Sequence, residues 1–289
     1  MTNPRGLQFV AGVVFVTANL GAWAGQQPAF STRVEAVRVD VLVTEAGTPI
    51  RGLGPADFEI LDNGVPQQVD LVSFEQLPLN LVLALDMSAS VAGERLDHLR
   101  TAGHAALAAL EPVDRASLVT FSDRVLLAAP LAHDLDAVQS ALDDAKGSRQ
   151  TALVDGTFAA MTVGESDAGR TLLIVFSDGL DTASWLKADD VLSEAKRSDV
   201  VAYGVWVRSK AKPEFLRDLS SETGGRLFEI ENSGDLAPTF RSIVGEFRHR
   251  YVVSYTPRGV SKTGWHRLDV HVKRKGASVK ARPGYQAGS

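Results

Sequence analysis

The sequence contains no cysteine among its 289 residues, which excludes disulfides, thiolate metal ligands and a cysteine nucleophile. It also has no excess of basic residues, because 30 Lys and Arg stand against 35 Asp and Glu and give a formal net charge of −5. A chain without a basic field does not attract polyanions, so we expect no nucleic-acid partner. Any metal here must be held by oxygen or imidazole ligands.

Sequence motifs of several enzyme classes are absent as well. There is no G-x-x-x-x-G-K-[ST] or G-x-G-x-x-G loop, Ser122 and Ser177 lie in no G-x-S-x-G turn, and no histidine pair has H-E-x-x-H spacing. We therefore expect that the protein is not an enzyme. We also expect most of its histidines to lie at the surface, the six being His98, His104, His133, His249, His266 and His271.

One long apolar run is present, at the start of the chain. Residues 1–24 contain a single charged residue, Arg5, followed by an apolar stretch and the small-residue site Ala22-Trp23-Ala24. This pattern is typical of a cleaved secretory signal peptide. An uncleaved anchor is the alternative, since about 20 apolar residues cross a bilayer. We predict a secreted, periplasmic or cell-envelope protein with no membrane span after cleavage.

The two ends of the remaining chain carry strand patterns. Residues 34–76 offer about three strands, including an alternating one at 37–43 and a hairpin in which 58–61 and 69–74 flank Asp62-Asn63-Gly64. Residues 248–286 offer three more. Because so few strands cannot bury a sheet face alone, we expect the two segments to form the halves of one β-sandwich-like domain.

The central residues, 80–247, alternate apolar strand-like runs with amphipathic helical runs. This alternation predicts an α/β fold with a doubly wound, mostly parallel six-stranded sheet, inserted into the β-sandwich-like domain. Residues 124–131 follow the preceding strand too closely for a parallel crossover, so we expect them to form an antiparallel edge strand. The other predicted strands are Leu81–Asp86, Ser117–Phe121, Leu172–Asp178, Val200–Val207 and Arg226–Ile230.

Oxygen-bearing side chains cluster at the end of the first central strand. Asp86, Ser88 and Ser90 lie between that strand and a helix, where open α/β sheets form their binding sites. Helix capping is the alternative role of such residues. Thr151 opens a later helix and Asp178 ends the neighbouring strand, so we expect all five side chains to converge on one site of hard oxygen ligands.

In this order, the five residues resemble the metal-ion-dependent adhesion site of von Willebrand factor type A domains. The resemblance covers residues 80–247. The flanking sequences are similar to those of acidobacterial-type VWFA-related proteins, at Arg51-Gly52-Leu53, Asp57-Phe58-Glu59, Asp62-Asn63-Gly64 and Ala281-Arg282-Pro283-Gly284-Tyr285. The resemblance implies a Mg²⁺ site, with Mn²⁺ or Ca²⁺ as alternatives.

The resemblance also implies a role for each ligand. Ser88 and Ser90 would bind the cation directly, Thr151 directly or through water, and Asp86 and Asp178 largely through water. An Asp or Glu carboxylate of a partner protein would fill the open position. We expect helix N-termini after Ser90 and at Thr151 to point N–H groups toward that anion. The helix at 235–248 would couple the domains by shifting with ligand occupancy.

The leading hypothesis is therefore a secreted, metal-dependent recognition module. The alternative is a cell-envelope scaffold or assembly factor with a structural cation, and a metal-dependent hydrolase ranks third, because the phosphatase pattern requires Asp where this chain has Ser88. The sequence assigns no role to Asp155 or Asp181, two acids near the predicted site. It also leaves the partner and the oligomeric state open.

Overall fold

The computed structural model describes residues 36–74, 77–147, 150–165, 169–209 and 212–288. The predicted signal peptide, residues 1–24, lies outside the described residues. No helix within those ranges is long and apolar enough to span a membrane.

Five short strands precede the central part of the chain: β1 (Val37–Glu45), β2 (Thr48–Pro49), β3 (Phe58–Asp62), β4 (Val65–Gln67) and β5 (Val69–Ser73). Asn63 and Gly64 join β3 to β4 with φ angles of +49° and +81°, the left-handed conformation that a two-residue hairpin requires. The hairpin thus forms where predicted, but its second strand was predicted wrongly. The short β4 takes that place, and β5 lies in a different sheet.

The central part alternates strands and helices, as predicted. Its strands are β6 (Leu79–Asp86), β7 (Arg115–Phe121), β8 (Val125–Ala132), β9 (Arg170–Ser177), β10 (Val201–Val207) and β11 (Leu227–Ile230). Its helices are α1 (Glu94–Leu107), α2 (Leu135–Asp144), α3 (Leu153–Glu165), α4 (Ala188–Ala195), α5 (Glu214–Glu222) and α6 (Leu236–Arg248). The sheet order is β11-β10-β9-β6-β7-β8, and every neighbouring pair is parallel except β7 with the edge strand β8.

Helices cover both faces of this sheet. One apolar cluster joins side chains of α1, α2 and α6 to one face, and a second cluster joins α3, α4 and α5 to the other. All eight residues of β6 are buried, as expected for the central strand of a sheet that is covered on both sides. The α/β fold predicted from the alternating pattern is therefore confirmed.

Four strands follow α6, where three were predicted: β12 (Tyr251–Tyr255), β13 (Gly264–Val272), β14 (Ala277–Lys280) and β15 (Gly284–Ala287). They pair with strands from the start of the chain in two small sheets, one containing β14-β1-β12-β5 with β2 beside β1, the other β15-β13-β3-β4. Both sheets contribute to one apolar cluster, which includes Val41, Ile60, Val253 and Leu268. The two ends of the chain therefore bury their apolar faces together.

Buried polar contacts attach the small sheets to the α/β part. The guanidinium of Arg250 is buried and donates to Tyr203 Oη at 3.0 Å and to the Gly224 carbonyl at 2.6 Å. Arg170, at the start of β9, pairs with Asp40 of β1. Moving the small sheets relative to the α/β part would leave the buried Arg250 charge without partners, which is unfavourable. These contacts therefore fix the orientation of the small sheets on the α/β part.

One histidine departs from the expected surface location. His266 is fully buried, its Nδ1 lies 2.7 Å from Asp62 Oδ1, and its ring packs against Tyr285 with the centroids 4.8 Å apart. Tyr255 and Tyr285 both donate hydrogen bonds to Asp62 Oδ2. His266 therefore belongs to a buried polar network between the small sheets.

The strand order locates the binding edge of the large sheet. The chain runs from β6 outward to β7 and β8, then returns to the other side of β6 to form β9. Strand order reverses between β6 and β9, and in open α/β sheets ligands bind beyond the carboxyl ends of the strands at this point. Asp86 and Asp178 lie at these two ends.

Candidate functional site

The five predicted residues lie on three connections at the carboxyl edge of the large sheet. Asp86 is the last residue of β6, and Ser88 and Ser90 lie in and next to a single 3-10 turn, Ala89–Val91. Asp178 directly follows β9, and Thr151 lies two residues before α3. The structure brings all five together.

The bend after β6 is fixed by backbone contacts. Met87 N–H donates to the Phe121 carbonyl of the neighbouring strand at 2.7 Å, and Val91 N–H donates to the Ser88 carbonyl at 3.0 Å. The Ser88 N–H donates to Asp86 Oδ1 at 2.8 Å. The Asp86 side chain thus positions the serine that follows it.

The Asp86 carboxylate is completely buried. Its second oxygen, Oδ2, accepts a hydrogen bond from Ser177 Oγ of β9 at 2.6 Å, so that the carboxylate links the two central strands. Burial raises the pKa of Asp86 from its ordinary value of 3.8 to about 6, against the opposing effect of the hydrogen bonds from Ser177 and Ser88. Burial therefore makes the charged form of this carboxylate unfavourable in free energy.

The two serine hydroxyls and Asp178 form a hydrogen-bonded chain. Ser90 Oγ donates to Asp178 Oδ1 at 2.6 Å, and Ser88 Oγ lies 3.0 Å from Ser90 Oγ. Because the Ser90 proton points to Asp178, the Ser88 hydroxyl donates to Ser90. The Asp178 side chain is only 1% exposed, whereas Ser90 lies at the surface.

A residue that the sequence analysis missed completes this cluster. Arg95, the second residue of α1, pairs through Nη1 with Asp178 Oδ2 and donates to the Ser90 carbonyl at 3.1 Å. Its guanidinium is 35% exposed. The sequence separation between Ser90 and Arg95 did not predict this contact. The 3-10 turn and Gly93, which has a φ of +71°, change the direction of the chain before α1 begins.

Thr151 is held against the segment that follows Asp178. Its N–H donates to Thr182 Oγ1 at 3.0 Å, and its carbonyl accepts from Thr182 N–H at 2.8 Å. A Cβ built on Gly179 would lie 3.9 Å from Thr151 Oγ1, which places this hydroxyl beside Asp178. The Thr151 hydroxyl thus lies close to the residue that directly follows Asp178.

The two acids left without a role hold the segment after β9. Asp181 Oδ1 accepts from Leu153 N–H at 2.8 Å and from Ser184 Oγ at 2.6 Å, so it caps α3. Asp155 accepts from the N–H groups of Trp185 and Leu186, each at 2.9 Å. Neither acid contacts the serine pair in the hydrogen bonds that the structure describes.

These contacts correct one expectation about anion binding. We predicted that the helix N-terminus at Thr151 would offer free N–H groups to an incoming carboxylate, but Asp181 accepts from Leu153 and Ser184 Oγ accepts from Asp155 N–H at 3.1 Å. The helix after Ser90 likewise begins only at Glu94. The N–H groups at the start of α3 are therefore already occupied by hydrogen bonds within the chain.

The cluster has the chemistry of a hard-cation site. Within the described ranges, no group of three or more His, Asp or Glu side chains could hold a metal ion, so a ligand set here must include hydroxyls. Adjacent ligands of an octahedral Mg²⁺ with bonds of about 2.1 Å lie about 3.0 Å apart. The separation of Ser88 Oγ and Ser90 Oγ is 3.0 Å. The serine pair thus has the spacing that such an ion requires.

Comparison with protein-family models identifies the central part of the chain. The model described as von Willebrand factor type A domain matches residues 80–242, more than half of the chain. The chain therefore belongs to this family. Domains of the family are mostly interaction modules, often metal-dependent, and can bind a divalent cation at the metal-ion-dependent adhesion site.

Solved structures share the fold at low sequence identity. A von Willebrand factor type A protein from Catenulispora acidiphila is 11% identical with a TM-score of 0.54, covering 89% of this chain and 75% of that one. Proximal thread matrix protein 1 from the mussel byssus, with a zinc-occupied adhesion-site motif, is 15% identical with a TM-score of 0.55, covering 70% and 50%. The corresponding domain of the type V pili tip protein Mfa5 from Porphyromonas gingivalis is 12% identical with a TM-score of 0.50, covering 58% and 94%.

A curated relative, an uncharacterized protein from Synechocystis sp., is 24% identical over 232 residues, or 72% of this chain. The chain spans about half, 54%, of the length of that relative.

The raised pKa of Asp86 predicts how stability depends on pH. In the presence of chelator, Asp86 binds a proton more tightly in the folded protein than in the unfolded chain. The free energy of unfolding should therefore fall as the pH rises from about 4 through 6 and Asp86 loses that proton. The difference between 3.8 and about 6 corresponds to about 3 kcal/mol at most. Urea unfolding of Asp86→Asn, which stays neutral, should lack this contribution and show higher stability than wild type above pH 6.

The matched control is Asp97→Asn, whose carboxylate is 72% exposed and should leave the pH dependence as in wild type. Identical pH profiles for wild type and Asp86→Asn would contradict the assignment.

Proposed function

We propose that this protein is a metal-dependent recognition module, in which a divalent cation bound by Asp86, Ser88, Ser90, Thr151 and Asp178 captures an acidic group of a partner protein. The observation that carries the proposal is the serine pair, with hydroxyl oxygens 3.0 Å apart between two buried carboxylates. It lies at the point of strand reversal where α/β sheets bind ligands.

The adhesion site that the five residues resemble implies a role for each ligand. Ser88 and Ser90 would bind the cation directly, and Thr151 would bind it directly or through water. Asp86, whose two oxygens accept hydrogen bonds from Ser88 N–H and Ser177 Oγ, and Asp178 would act largely through water. Such a set of hard oxygens suits Mg²⁺, and also Mn²⁺ or Ca²⁺.

The charges of the site favour an anionic partner. Only two of the five proposed ligands are anionic, and both would act largely through water, so a divalent cation would keep uncompensated positive charge toward its open position. A carboxylate of a partner neutralises that excess and supplies an oxygen ligand to an open position. This attraction replaces the one we had expected from the helix N-termini.

The wider setting is part of the same proposal. Residues 1–24 act as a signal peptide, and the protein is secreted, periplasmic or attached to the cell envelope. The small sheets form one β-sandwich-like domain into which the α/β domain is inserted, and the flanking motifs resemble those of acidobacterial-type proteins. A pili tip protein among the structural neighbours supports a surface role.

Direct titration with Mn²⁺ tests the ligand assignment. Ser88→Ala removes one ligand and should weaken Mn²⁺ binding at least about tenfold in isothermal calorimetry. Ser193→Ala is the matched control, because its hydroxyl lies on α4 and donates to the Asp189 carbonyl of the same helix, and the variant should bind Mn²⁺ as wild type does. Equal affinity of wild type and Ser88→Ala would contradict the assignment.

Binding of Glu-containing peptides tests whether the cation captures a carboxylate. Mn²⁺-loaded protein should retain immobilised peptides that contain Glu and lose them when Glu is replaced by Gln or when chelator is added. Retention that is independent of both changes would favour the scaffold alternative.

Arg95 should compete with the cation. Because its guanidinium already pairs with Asp178, Arg95→Gln removes both a competitor for that carboxylate and a repelling charge. We expect Mn²⁺ affinity to rise by up to about fivefold, which corresponds to about 1 kcal/mol for a partly exposed ion pair. Arg100→Gln, on the same helix, should leave the affinity unchanged. Weaker binding by Arg95→Gln would instead show that the arginine orients Asp178 for the metal.

A further inference from the structure

Three exposed apolar side chains follow Asp178 within eight residues. Leu180 is 61% exposed, Trp185 is 96% exposed and Leu186 is 40% exposed. We call these three residues the apolar rim. Tryptophan is normally well buried, so an almost fully exposed one next to two exposed leucines is an unusual surface.

The backbone that carries the apolar rim is firmly attached to the candidate site. Thr182 exchanges hydrogen bonds with Thr151, and Ala183 N–H donates to the Thr151 carbonyl at 3.1 Å. Asp155 accepts from the N–H groups of Trp185 and Leu186. Because these hydrogen bonds hold the backbone in place before a partner binds, little backbone conformational entropy is lost when a partner contacts the apolar rim.

We propose that the apolar rim is the second half of the partner-binding surface and takes an apolar or aromatic side chain that neighbours the acidic residue of the partner. This inference rests on the proposed function, because Thr151 belongs to the cation site and also holds the rim. Trp is enriched among the residues that dominate binding energy, especially where the backbone is rigid. The rim therefore selects among acidic segments by their neighbouring residues.

Two other occupants fit less well. The segment 178–190 contains four Asp and one Lys, so it lacks the cluster of basic residues by which protein surfaces bind anionic lipid headgroups. The rim consists of only three side chains, whereas a stable dimer buries about 800 Å² on each copy, or about 20–30 residues. A protein segment that also contributes a carboxylate to the cation has an additional source of affinity.

The test uses immobilised peptides with one central Glu, flanked at each nearby position in turn by Leu, Phe, Trp or Ser. The full chain is applied with Mn²⁺. Wild type should retain peptides with an apolar neighbour at least about fivefold better than those with only Ser. Trp185→Ser and Leu180→Ser should lose this preference, while calorimetry still detects Mn²⁺ binding. Leu71→Ser is the matched control, since Leu71 is 57% exposed on β5, and should keep the preference.

The outcomes separate the two proposals. Retention that depends on Glu but ignores the neighbouring residue overturns the role of the apolar rim and leaves the proposed function standing. Retention that is the same for Glu and Gln peptides overturns the proposed function itself. Trp185-dependent binding to phosphatidylcholine vesicles without metal, or Trp185-dependent dimerisation in analytical ultracentrifugation, would assign the rim to a membrane or to a second copy and overturn the inference.

Discussion

The hydrogen bonds of the buried Asp86 carboxylate determine the arrangement of the candidate site. One oxygen accepts from Ser88 N–H and orients the loop after β6, and the other accepts from Ser177 and joins β6 to β9. An uncompensated charge at this depth is unfavourable, which the raised pKa of Asp86 expresses. A cation bound beside it would relieve that cost, so the same carboxylate connects the fold to metal binding.

Buried contacts join α6 and the segment that follows it to the large sheet. Arg248, the last residue of α6, pairs with the buried Asp114, which also accepts from Leu79 N–H at the start of β6. Two residues further on, Arg250 bonds Tyr203 and Gly224. If α6 shifts with ligand occupancy, as the resemblance implies, these contacts must rearrange together.

Much of this architecture could be predicted from the sequence, because the arrangement of the strands in the large sheet follows from local hydrophobic patterns and loop lengths. Alternating runs identified the central sheet, the short turn after Phe121 predicted the antiparallel edge strand, and strand-end placement brought Asp86 and Asp178 to one edge. The amphipathic helical runs between the strands form the helices that cover the sheet, and Leu99 of α1 and Phe240 of α6 are buried against it.

What could not be predicted depends on contacts between distant segments. The partner of β5 is set by packing of the two small sheets, which no local pattern encodes. Arg95 reaches Asp178 only because Gly93 turns the chain. Asp155 and Asp181 hold the segment after β9, whereas the sequence could not distinguish this role from surface exposure or metal coordination. Burial of His266 likewise depends on Asp62, 204 residues away.

The central claim is that the serine pair binds a cation, and crystals of the full chain grown with Mn²⁺ test it most directly. The account predicts an anomalous scattering peak about 2.2 Å from both Ser88 Oγ and Ser90 Oγ, with Arg95 moved away from Asp178. A peak only elsewhere, or none while the Arg95 guanidinium remains on Asp178, would contradict it.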